Sequence, residues 1–184
     1  MTDFARLMSD YFVKYLAGQK GSGSNTMKTY RDTFVQLLEF MDEKKHIRAD
    51  CIEVDSFSYD IINEFLEYLE KEKRVSISTR NNRLAAIRLF FKYTGYHEPK
   101  YLNISTSIRE ISKKKTEGRQ MNYLSVNAME HFLNSFDKTD HKELRCFCIV
   151  LLLYESGARV TELCNVRRYD LHLEKPYTMI LHGK

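Results

Sequence analysis

Apolar residues recur at helical spacing through most of the chain. Phe4, Leu7, Met8, Tyr11, Phe12, Tyr15 and Leu16 predict a first amphipathic helix ended by Gly18. Gly21-Ser-Gly-Ser24 reads as a short flexible turn, after which Ser24 or Asn25 is placed to cap a second helix with Met27, Tyr30, Phe34, Leu37, Leu38 and Met41 along one face. A third helix begins near Ser58 and carries Ile61, Ile62, Phe65, Leu66 and Leu69. Ser76 or Ser78 caps a fourth that runs to Gly95, with Leu84, Ile87, Phe90 and Phe91 turned inward and Arg80, Arg83 and Arg88 left for solvent or a ligand. Four helices with short connections predict a compact bundle over residues 1–96.

The pattern breaks from residue 97 onward, at Pro99, scattered polar residues and Lys113-Lys114-Lys115, so residues 97–118 are expected to form a basic linker with the domain cut near Gly118. Beyond it Tyr123-Leu124 reads as extended, and Ser125 caps a helix bearing Val126, Met129, Phe132, Leu133 and Phe136. A further helix spans about 142–155, and its stretch 146–154 is apolar all round, which predicts burial inside a second core. Ser156-Gly157 breaks that helix, residues 159–166 read as another, and a strand follows Pro176 over 177–182. The fold class is mainly α with one strand at the end. That strand has no sequential hairpin partner, so the second domain, residues 119–184, is expected to be incomplete and to leave apolar surface uncovered.

With 184 residues, 43% of them hydrophobic, the chain has enough material for packed cores, so a folded rather than a disordered chain is expected. The start has no uninterrupted apolar core of the signal-peptide kind, because Asp3, Arg6 and Asp10 interrupt it, and no later run approaches a membrane-spanning length. A cytoplasmic protein without membrane partners is expected. Cys51, Cys146, Cys148 and Cys164 form no Cys-x-x-Cys pair, so no metal site is expected and the four read as reduced core thiols. The net charge of +4 is modest but uneven. Between Lys71 and Arg119 thirteen Lys or Arg face four acids, so this stretch carries +9 and the remainder −5. Concentrated positive charge of this kind points to a polyanionic partner, nucleic acid first.

The most informative string is Gly157-Ala-Arg159-Val-Thr-Glu162-Leu163, followed by Asp170-Leu-His-Leu173 and then Ile180-Leu-His-Gly-Lys184. In order, spacing and helix-to-strand context this resembles the first catalytic box of the tyrosine site-specific recombinases, or phage integrase family: a Gly-x-Arg-x-x-Glu-Leu segment, an Asp-Leu-x-Leu turn and a strand ending in Gly-Lys. The four-helix segment and basic linker resemble that family's SAM-like core-binding domain, so the resemblance covers essentially the whole chain.

The resemblance implies DNA strand exchange in which a tyrosine attacks a phosphodiester, giving a phosphotyrosyl intermediate with neither metal nor nucleotide cofactor. Arg159 would then clamp the phosphate, a role suited to a guanidinium with its two fixed donors, aided by N–H groups at the start of its helix. Lys184 matches the strand lysine that protonates the leaving oxygen, and Glu162 the supporting carboxylate. The His-x-x-Arg box and the nucleophilic tyrosine that should follow have no counterpart in these residues, so this stretch alone is expected to bind double-stranded DNA without cutting it.

By the same resemblance the DNA-facing residues are Thr26, Lys28, Thr29 and Arg31 on the second helix and Thr79, Arg80, Asn82 and Arg83 on the fourth, while Lys113, Lys114, Lys115 and Arg119 cross a phosphate backbone. Other protomers are implied as partners, in a tetramer on paired sites, for integration or excision of a mobile element or for chromosome-dimer resolution. A catalytically inactive DNA-binding factor and a helical scaffold for an acidic protein remain as alternatives.

Overall fold

The computed structural model describes residues 1–116, 118 and 122–183, and divides into two compact units, Met1–Gly118 and Arg119–Lys184. In the first, α1 (Asp3–Asp10) starts at Thr2, whose hydroxyl accepts the Ala5 N–H at 3.2 Å, and runs directly into a π-helix over Tyr11–Gln19. Its wider turn brings residues five apart onto one face, so Tyr11 and Leu16 both reach full burial and Tyr15 stacks on Tyr11 at 5.6 Å. α2 (Ser24–Lys45) opens at Gly23 rather than at a side-chain cap on Ser24 or Asn25. α3 (Tyr59–Lys71) and α4 (Ile77–His97) start at Ser58 and Ser76, each hydroxyl accepting a backbone N–H three residues on, at 3.2 Å.

α4 is the axis of this unit. Leu84, Ala86, Ile87, Phe90, Phe91, Tyr93 and Thr94 are buried along it. Phe90 meets Phe4 at 5.6 Å, Tyr11 at 5.4 Å, Phe34 at 5.2 Å and Phe91 at 5.3 Å, mostly edge to face, the arrangement aromatic quadrupoles favour. One ring thus ties α1, the π-helix and α2 to α4.

The expected linker over 97–118 is in large measure a fifth helix. After a tight turn at Pro99–Tyr101, α5 (Leu102–Glu110) packs along α4, and Tyr101, Ser105, Ile108 and Ile111 join the core. Ile104, Ile108 and Ile111 stand at helical spacing, a signal masked by the polar residues between them. Gly95 does not end α4 but lets α5 approach: a Cβ there would lie 2.8 Å from Ser105 Cβ and Oγ.

The second unit holds α6 (Val126–Asn134), α7 (His141–Ser156), α8 (Val160–Cys164) and a two-stranded ladder, β1 (Leu171–His172) antiparallel to β2 (Thr178–Met179) in the register Leu171↔Met179 and His172↔Thr178. The strand expected without a partner therefore has one, supplied by the residues just before its turn. The burial expected for α7 is absent. No residue of α6 or α7 is buried, and Ile149, Leu152 and Phe132 are 40–44% exposed. Phe136 links the two helices, 5.2 Å from Phe132 and 6.2 Å from Phe147, while the other sides of α7 stay open among the described residues. The cysteines are not core thiols: all four are exposed, two of them on this open helix. Among the described residues no helix is long and apolar enough to cross a membrane.

Gly95→Ala gains helix propensity of about 1 kcal/mol but forces α4 and α5, already at contact, away from each other, an overpacking cost of about 1–3 kcal/mol. The net expectation is a less stable protein by urea denaturation, with most of the loss recovered when Ser105→Gly is added.

Candidate nucleic-acid interface and phosphate corner

The N-terminal halves of α2 and α4 lie side by side. Asn25, Thr26, Thr29 and Tyr30 from one helix and Asn82 and Ala85 from the other line a shallow depression, so three of the residues expected to face DNA, Thr26, Thr29 and Asn82, share one surface. Lys28 and Arg31 are exposed on α2, whereas Thr79 is half-buried with its hydroxyl 3.0 Å from that of Ser76. Arg83 is half-buried as well. Its Nη1 donates to the Thr29 carbonyl at 3.0 Å and to Thr33 Oγ1 at 3.2 Å, which fastens α4 to α2 beneath the depression.

Arg80 requires a correction. It is 5% exposed, faces Glu70 with Nε 3.2 Å from Oε1, and donates from Nη1 to the Asn81 side chain and the Ser112 carbonyl, both at 3.2 Å. α4 is surrounded, so a position that a single stripe places in solvent turns inward against α3 and the segment after α5. Arg88 is likewise engaged, donating to the Arg109 carbonyl. Of the linker lysines, Lys113, Lys114 and Lys115 are exposed, but the Lys114 ammonium is held by Glu70 at 2.8 Å. Arg119 lies outside the described residues.

In the second unit Arg159 is the residue that starts α8, its backbone extended at φ −73°, ψ 147°. Glu162, one turn on, folds back on it: Oε2 accepts the Arg159 N–H at 2.9 Å and Oε1 meets Nη1 at 2.6 Å. The backbone N–H first, and then the guanidinium, hold the Glu162 carboxyl below its ordinary range. With 80% of its side chain exposed, Arg159 keeps the remaining donors of its fork turned outward, oriented by a carboxylate that is itself only 14% exposed.

The segment that follows the ladder comes to the same corner, since a Cβ on Gly183 would lie 3.9 Å from Glu162 Oε1. Lys184, the next residue, lies outside the described residues. Sequence reasoning missed what fixes this approach. Asp170, 2% exposed, accepts the Arg167 N–H at 2.7 Å and meets His182 Nε2 at 2.8 Å, and its carbonyl accepts the Ile180 N–H at 2.9 Å. Two residues twelve apart become neighbours only through the β1–β2 register, which no local pattern reveals.

His182 first, and then the Arg167 N–H, hold the Asp170 carboxyl below its ordinary range. A depressed folded pKa contributes stability that is present above the unfolded value of about 3.9 and is lost as pH falls through the folded one. Carboxyl titration by NMR should therefore find Asp170 among the most acidic groups of the second unit, and Asp170→Asn should flatten the acid limb of that unit's stability against pH.

The chain is similar to known proteins. Residues 10–99 match the model of the phage integrase N-terminal SAM-like domain. Two proteins of Sinorhizobium fredii (strain NBRC 101917 / NGR234) named as integrase/recombinase are similar: y4rD is 28% identical over 96% of this chain and 63% of its own length, and y4rC 27% identical over 91% and 50%. The tyrosine recombinase XerC of Staphylococcus aureus (strain USA300 / TCH1516) is 26% identical over 89% of this chain and 52% of its own. The chain thus spans about half to three-fifths of the length of these relatives. Among solved structures, the XerH site-specific recombinase bound to palindromic difH substrate, in a post-cleavage complex, superposes with a TM-score of 0.63 at 21% identity, covering 96% of this chain and 51% of that one, a likeness of fold. Residues 10–99 thus match a phage integrase N-terminal SAM-like domain, and over nearly its whole length the chain is similar to proteins named integrase/recombinase and tyrosine recombinase.

Proposed function

We propose that this chain grips duplex DNA and carries the opening portion of the catalytic site of a tyrosine site-specific recombinase. The observation that carries the reading is the Arg159–Glu162 corner: an exposed guanidinium, oriented by its own carboxylate, with Gly183, in the segment after β2, arriving beside that carboxylate. The naming of the relatives and the DNA in the XerH complex support the same reading.

On this reading Arg159 binds the non-bridging oxygens of the scissile phosphate and meets the charge that grows there as a tyrosine hydroxyl attacks. Glu162 holds the fork in place, and Lys184 donates the proton that the leaving 5′ oxygen takes up. The reaction needs no cofactor. The attacking tyrosine and the His-x-x-Arg box have no counterpart in these 184 residues, so this stretch binds without cutting. Strand exchange itself takes place in a tetramer on paired sites, in the integration or excision of a mobile element or in dimer resolution.

DNA contact is assigned to Thr26, Lys28, Thr29 and Arg31 on α2, Asn82 on α4, and Lys113 and Lys115 after α5. Thr79 stands at the margin of this surface. Arg83 acts from beneath it, and Arg80 belongs to the interior.

Titrating duplex DNA against salt tests the surface. Binding should weaken steeply as salt rises, and Lys28→Ala/Arg31→Ala should reduce the slope of log K against log salt by about 1.8, or about 0.9 for each lost phosphate contact. Arg80→Ala should lower thermal stability instead, without reducing the slope. Salt-independent or absent binding by the folded protein would refute the assignment.

A further inference from the structure

A short stretch of backbone after α5 is clipped to the start of α4. The Asn81 side chain binds Lys114 in both directions: Nδ2 donates to the Lys114 carbonyl at 2.7 Å, and the Lys114 N–H donates to Oδ1 at 3.1 Å. This pair copies a rung of a β-ladder, with a side-chain amide in place of a neighbouring strand. Arg80 adds a bond to the Ser112 carbonyl at 3.2 Å. Glu70, on α3, completes the clip by facing two cations, Arg80 Nε at 3.2 Å and Lys114 Nζ at 2.8 Å.

The two cations are not equivalent. The Arg80 side chain is 6% exposed and requires a nearby anion, because a buried unpaired charge is strongly disfavoured. The Lys114 side chain is 50% exposed, and an ion pair so open to water is weakly held and easily exchanged. Lys113 and Lys115, on either side, make no ion pair among the described residues. Of three consecutive lysines in the most basic stretch of the chain, the middle one is therefore neutralised from within.

We propose, on the DNA-binding reading given above, that Glu70 stands in for a DNA phosphate: it occupies Lys114 in the free protein, and duplex DNA competes for that ammonium and opens the clip over residues 112–114. The contact is autoinhibitory. It lowers DNA affinity by withholding one cation, and it ties release of the segment after α5 to the arrival of a phosphate backbone.

Hydrogen exchange and duplex binding by the 184-residue chain provide the test. The Lys114 amide should be protected in the free protein and lose protection when mixed-sequence duplex is added at low salt. Glu70→Gln, which keeps an oxygen for Arg80, should bind the duplex several-fold more tightly, with a salt slope steeper by about 0.9, and adding Lys114→Gln should abolish the gain. Asn81→Ala, which leaves Glu70 and its charge in place, should expose the Lys114 amide and also tighten binding, while amides in the middle of α4 keep their protection. Equal duplex binding by the wild type and both single variants, or a Lys114 amide still protected in the complex, overturns the clip and leaves the DNA reading standing. No duplex binding by any variant at low salt overturns both.

Discussion

The first unit depends on the enclosure of α4. A helix covered on one side needs one apolar stripe, whereas this one, with α1, α2, α3 and α5 around it, must present something compatible in every direction. Phe90 and Phe91 fill the widest spaces, and Gly95 admits α5 at the narrowest. Arg80 lies where an apolar residue would otherwise be expected, and its charge is balanced from α3. Near the start of α4 the exposed Asn82 stands beside Thr26 and Thr29 of α2.

The positions of the four main helices of this unit are legible in the sequence because apolar spacing and the capping serines agree with each other. Ser58 and Ser76 start their helices as local chemistry dictates. What a sequence does not reveal is the number of sides each helix will have covered. A single buried stripe sends the arginines of α4 to solvent, and Pro99 with the lysines that follow outweighs the three well-spaced isoleucines of α5. The reverse error falls on α7, where an apolar sequence announces a buried helix and the described residues leave much of it open.

The Arg159–Glu162 corner divides in the same way. Arg159 and Glu162 are one helical turn apart, so their pairing follows from local geometry. Asp170 and His182 depend on a strand pairing, and pairing registers are a tertiary outcome. The basic character of the lysine run is plain from its charge count, yet that count is blind to Glu70, which lies more than forty residues earlier in the chain and reaches Lys114 only after α3 and α4 have packed.

The ladder has a consequence for tolerance to insertion. The chain reverses direction over residues 173–177, and this length places His182 against Asp170 and Gly183 beside Glu162. One residue added within the reversal would slide β2 by one position against β1 and draw His182 away from Asp170. The reversal therefore acts as a ruler. Its composition can drift, but its length is bound to the distance between a guanidinium and the end of a strand.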